Sequence, residues 1–146
     1  MKTRLFTFLI LAGSLSLQGQ SDYWQQEVNY NIKVQLDDSL HTLRGFIEME
    51  YTNNSPDTLD FIYMHLWANA FSSDYSAYAK QNNLFLSSDF YFSKQAQKGY
   101  INQLDFSVDE IPAKLLFDTK NPDIAKLILP NSILPGEKRI LNLIFL

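Results

Sequence analysis

The sequence predicts an all-β domain, an antiparallel β-sandwich or saddle-like curved sheet, and three observations carry that expectation. Residues 28–36, VNYNIKVQL, alternate apolar and polar without a fault, the period of a strand with one buried face. Turn chemistry recurs at short intervals, at Asp37-Asp38-Ser39, at Asn53-Asn54-Ser55-Pro56-Asp57, at Asn121-Pro122-Asp123 and at Leu134-Pro135-Gly136-Glu137. Aromatic residues make up 14% of the chain, an excess that suits cross-strand pairing.

The elements follow in order. In the first strand Val28, Tyr30, Ile32, Val34 and Leu36 point to the expected core, and Asn29, Asn31, Lys33 and Gln35 point to solvent. The run LRGFIEMEYTN alternates again, with Leu43, Gly45, Ile47, Met49 and Tyr51 on one face. The short connection makes these two runs an antiparallel hairpin. In DFIYMHLWANAF, residues 60–71, Leu59, Phe61, Tyr63, His65 and Trp67 share one face, and Ile62, Met64 and Leu66 the other. Both faces are mainly apolar, so this strand is expected to be covered on both sides.

Residues 69–98 break the alternation and read as one long loop or a short helix. SSDYSAYAKQNN suits a helix capped by Ser73 or Asp74, with Tyr75, Tyr78 and Ala79 on one side. Gly99 ends this excursion. Leu104, Phe106 and Val108 then mark another strand, followed by strands at about 113–118 and 124–129 and a last one in RILNLIFL. The count is seven or eight strands with little helix.

Residues 1–20, MKTRLFTFLILAGSLSLQGQ, read as a secretory signal, with Lys2 and Arg4 before a short apolar run and small or polar residues toward Gly19. The run is too short to span a bilayer. The mature domain is therefore expected over 21–146, exported to a periplasmic or extracellular location. Removal of the signal leaves ten basic and sixteen acidic residues, taking the net charge from −4 to −6. With no basic run, nucleic acid is an unsuitable partner. The absence of cysteine excludes disulfides, thiolate zinc sites and thiol catalysis. The last run stops on Leu-Ile-Phe-Leu with no turn or polar tail after it, which reads as a fragment of a longer chain.

The residues offer little chemistry. His41, in SLHTL, reads as a solvated loop residue, and His65 as a core histidine rather than a metal ligand. No H-E-x-x-H or G-x-S-x-G motif is present, and the five glycines are too scattered for a phosphate loop. Glu48 and Glu50 share a strand face, about 7 Å apart by strand geometry, but two carboxylates on a solvated face are commonplace. Phe85, Phe90, Tyr91 and Phe92 suit either a stacking platform for glycans or peptides or a pin that holds the long loop to the sheet. Asn53-Asn54-Ser55 fits a glycosylation sequon weakened by the following proline. No catalytic, cofactor-binding or metal residue is assigned.

Four segments in order, YTNNSPDTLDFIYMHLWANAF, SAYAKQ, GYINQLDFSVDE and LPNSILPGEKRILNLIF, resemble the N-terminal domain of the aminopeptidase N family of zinc metallopeptidases. The likeness is to the secreted branch of Bacteroidetes-type bacteria, and it covers about residues 27–146. Its most specific part is His-Leu-Trp-x-Asn-Ala-Phe after the N-N-S-P-D-T-L loop. The resemblance implies a saddle-shaped β domain that packs on a thermolysin-like catalytic domain of the same parent chain. That second domain carries the zinc, its H-E-x-x-H ligands and the site for peptide substrates. None of those motifs occurs here, so no family site residue transfers to a position of this sequence. A free-standing secreted module that binds glycans or peptides is the alternative.

Overall fold

The structure, a computed structural model, describes residues 23–101 and 103–146. The signal expected at 1–20 lies outside the described residues. The strands are β1 (Glu27–Asp37), β2 (Thr42–Thr52), β3 (Leu59–His65), β4 (Leu104–Val108), β5 (Ile111–Phe117), β6 (Ile124–Ile133) and β7 (Lys138–Phe145). The long excursion between β3 and β4 holds an α-helix, α1 (Ala77–Leu84), between two short 3₁₀ segments, Trp67–Phe71 and Gln95–Gln97. The seven strands form one curled sheet in the order β1-β2-β7-β4-β5-β6-β3. Every neighbouring pair is antiparallel.

Register explains where the core lies. Ile47 and Met49 on β2 stand opposite Leu143 and Leu141 on β7, which in turn oppose Phe106 and Val108 on β4. On the other half, Leu115 of β5 and Ile62 of β3 flank Leu127 of β6. Side chains of one parity thus line one continuous inner face. The curl closes that face on itself around Met49, Phe106, Val108, Leu127, Leu129, Ile133, Leu141 and Leu143.

Two strands depart from the burial the alternation predicts. On β1 only Val28 packs against the core, while Tyr30, Ile32, Val34 and Leu36 remain 55–66% exposed. β1 is the edge of the sheet, and the closing half reaches only its Val28 end. On β3 the expectation of cover on both faces is corrected. Ile62 and Met64 pack against the core, and Leu66 just beyond is buried, whereas Phe61 and Tyr63 face outward, with Tyr63 67% exposed. Among the described residues the one curled sheet has no second layer over its convex side.

Turns follow their chemistry. The Asp37 carboxylate accepts from the backbone N–H groups of Ser39 and Leu40, both at 3.0 Å, and closes the β1–β2 turn. Asn53 is fully buried and is the centre of the β2–β3 loop. Its side-chain amide donates to the carbonyls of Asp57 (2.8 Å) and Ile133 (3.0 Å), and its Oδ1 accepts from the Ser55 amide and hydroxyl. The backbone of Asn53 also bonds Glu137 and Gly136, so the loop is fastened to the β6–β7 turn. Gly136 has φ +78°, a conformation that glycine adopts in this turn without the strain a Cβ would bring. The Asp109-Glu110 connection between β4 and β5 has φ of 49° and 68°, the left-handed region a two-residue hairpin demands.

In the excursion, α1 starts later than predicted. Its cap is Ser76, whose hydroxyl accepts from the Ala79 amide at 3.1 Å and donates to the Ala70 carbonyl at 2.6 Å. Ser76 is fully buried, so that second bond decides against Ser73 and Asp74.

Candidate functional site

The convex side at the end of β3 brings His65 together with Tyr63 and Trp67. The His65 ring nitrogen Nε2 lies 3.1 Å from Oδ2 of Asp123, and its ring stands edge to face with Trp67 at 3.9 Å between centroids. Asp123 is only 9% exposed and its second oxygen, Oδ1, has no hydrogen-bond partner among the described residues. The backbone supplies the placement: the Leu66 amide donates to the Asp123 carbonyl at 2.7 Å, which docks the end of β3 on the turn before β6. His65 is thus not the core histidine expected. Its side chain is 40% exposed, at the rim, and it pairs with a nearly buried carboxylate beside the Trp67 ring.

Beside this pair lies an open hollow of about 440 Å³ lined by Tyr63, Met64, His65, Asp118 and Ile124. The Asp118 carboxyl is held below its usual range by the backbone amides of Lys120 and Asn121, then by the Asn121 side chain. Lys126 lies 3.5 Å above the Phe61 ring, a cation–π contact on the same face. These groups orient an imidazole and present aromatic surface. Among the described residues no group of three or more His, Asp and Glu side chains lies close enough to hold a metal ion. His65 and Asp123 form a pair, and His41 lies in the β1–β2 turn at φ 51°.

The other singled-out residues lie apart. Glu50 accepts from Lys138 at 2.8 Å and from Asn29 at 3.4 Å, while Glu48 pairs across the sheet with Asn31 and Asn142. Lys138 holds the Glu50 carboxyl below its ordinary range, which opposes a general-acid role. Of the aromatic set, Phe90 packs with Tyr78 and Phe71 at centroid distances of 5.2 and 6.3 Å and pins the excursion. Phe85 and Phe92 remain 76% exposed, and Tyr91 stacks edge-on to Phe92. The sequon asparagine, Asn53, is inaccessible in the folded protein.

Sequence reasoning missed Asp123 because it is 58 positions from His65 and looks like a turn residue. No local signal marks it as a partner of His65. The class these features define is an antiparallel β domain whose sheet leaves apolar area uncovered on both sides, at Tyr30–Leu36 within and at Tyr63 and Trp67 without. Comparison with family models, with curated proteins and with solved structures returns no match.

Proposed function

We propose that this chain is the N-terminal, non-catalytic β domain of an exported zinc-dependent aminopeptidase, acting through the catalytic domain of the same parent chain. The uncovered inner face of the β1–β2 hairpin carries this reading: Tyr30, Ile32, Val34, Leu36 and Leu43 form an exposed apolar stripe. Such a stripe on a folded domain suits burial against a neighbouring domain. The four ordered segments that resemble the aminopeptidase family support the choice of neighbour. The most specific of them, His-Leu-Trp-x-Asn-Ala-Phe, covers the end of β3 and the 3₁₀ turn Trp67–Phe71.

In this reading zinc belongs to the parent's other domain, where it would polarise the scissile carbonyl of a peptide substrate. The residues of this chain contribute a wall and a docking surface. The reading also places the protein in the periplasm or outside the cell. The test is to sequence the locus past Leu146 and assay the encoded protein. An open frame encoding H-E-x-x-H and a chelator-sensitive release of N-terminal amino acids are expected. A stop codon directly after Leu146, or chelator-sensitive release by this chain alone, refutes it.

A second reading, a secreted module for glycans or peptides, is favoured by the exposure of Phe85, Tyr91 and Phe92. It predicts that a glycan or peptide array retains the protein and that Phe92→Ala abolishes retention. Equal retention of both forms rules it out.

A further inference from the structure

We propose that two copies of this chain pair through the free edges of β1, antiparallel about a two-fold axis at Tyr30, to form a continuous fourteen-stranded sheet from two seven-stranded ones. The inference does not depend on the aminopeptidase reading.

The two edges of the sheet differ in how they are protected. β3, at one edge, is seven residues long and is interrupted by an irregularity between Leu59 and Phe61. β1, at the other, runs eleven residues in unbroken register with β2 and contains no proline. Of the devices that discourage edge pairing, β1 lacks the bulge, the proline and the short length; it does carry charges, Glu27, Lys33 and Asp37, so a register that pairs strands here must match them. Its outer edge has no strand partner among the described residues.

The sequence of β1 is complementary to itself in one register. With Tyr30 opposite Tyr30 of the second copy, Lys33 faces Glu27, Asn31 faces Asn29, and Ile32 faces Val28. Opposite charges, carboxamides and apolar side chains each meet their like partner, and the two-fold axis makes every heterotypic pair twice. Lys33, Glu27, Asn29 and Asn31 are all exposed in the single chain and available for it. Centring on Ile32 sets Asp37 against Glu27, two like charges. Centring on Asn31 leaves Lys33 opposite Asn29 and forms no ion pair. A shift by a single residue brings the apolar face of one strand beside the polar face of the other. Pairing at the edge leaves the inner face free for a neighbouring domain.

The test uses an equal mixture of unlabelled and ¹⁵N-labelled purified chain. Sedimentation across a concentration series should show a monomer–dimer equilibrium. A zero-length carbodiimide should join Lys33 to Glu27, and the joined peptides should carry mixed isotopes. Within one copy these two residues are six positions apart on one strand, about 20 Å, too far for that bond. Lys33→Glu should raise the dissociation constant roughly tenfold, and Glu27→Lys combined with Lys33→Glu should restore it. Circular dichroism of each variant should match the parent. A chain that stays monomeric, as it would if another segment or a foreign peptide occupied the edge, overturns the proposal. So does a dimer indifferent to Lys33→Glu or not restored by the double exchange.

Discussion

Asn53 donates its side-chain amide to the carbonyl of Ile133, 80 positions further along the chain, and neither group reaches solvent. One side chain thereby ties the β2–β3 loop to the end of β6. Removing it leaves the carbonyls of Asp57 and Ile133 without that donor and takes the Asn53 oxygen from the Ser55 amide and hydroxyl, the hydroxyl keeping only the Asp57 carbonyl at 3.1 Å. Asn53→Ala should therefore cost about 3 kcal/mol, read as a lower midpoint of urea unfolding at unchanged slope. A loss within the scatter of surface substitutions contradicts this account.

His65 is the partner of the nearly buried Asp123, so His65→Ala strands a carboxylate whose other oxygen is already unpartnered. The expected loss is about 1–3 kcal/mol, larger than a half-exposed position would otherwise give. Asp123→Asn in the same background should recover part of it. Calorimetric titration with zinc should show no stoichiometric binding to either form.

At Gly45 a Cβ would stand 2.6 Å from the Phe145 ring and 2.9 Å from the Lys33 carbonyl. Gly45↔Phe145 is a cross-strand pair in which the ring lies over the bare backbone. Gly45→Ala should cost about 1–3 kcal/mol. Phe145→Leu should soften that penalty when the two are combined, and additive losses would argue against the contact.

Glu110 holds φ +68° with a full side chain. Glycine removes that strain, so Glu110→Gly should stabilise by about 0.5–1 kcal/mol after its greater freedom in the unfolded chain is subtracted. The neighbouring Asp109 keeps its bond to the Ile140 amide at 3.0 Å and its ion pair with Arg139 at 3.2 Å. A melting temperature that falls rather than rises would contradict the prediction.

The exposed pair of Glu50 and Lys138 has a pH signature. Lys138 lowers the Glu50 pKa, and Glu50 raises that of Lys138. The contribution of Glu50 is present above its unfolded pKa and fades as pH falls through its lower folded value. That of Lys138 is present below its unfolded pKa and fades as pH rises through its higher folded value. The melting difference between the parent and Glu50→Gln should thus be small, greatest near neutral pH, and abolished by high salt. A difference that persists at acid pH or in salt refutes the pairing.

Strand positions and turns were legible because they rest on local chemistry. The alternation of VNYNIKVQL, the Asp37 turn and the proline-glycine turn at 135–136 all act within a few residues, and β1, β2 and the β6–β7 connection follow them. The cap of α1 was misread because the deciding bond, from Ser76 to Ala70, forms only when the excursion folds back.

Alternation determines which residues share a face of a strand, and composition and turn spacing determine an antiparallel β class. Neither says which faces are covered. β1 alternates without a fault yet exposes its apolar side, because strand order sets it at the edge, beyond the closing half. DFIYMHLWANAF is apolar on both sides yet is covered on one, because a single curled sheet has only one inside. The partner of His65, the enclosure of Asn53 and the edge position of β1 among the described strands are likewise tertiary facts. They depend on contacts between residues dozens of positions apart, and strand periodicity carries no information about those contacts.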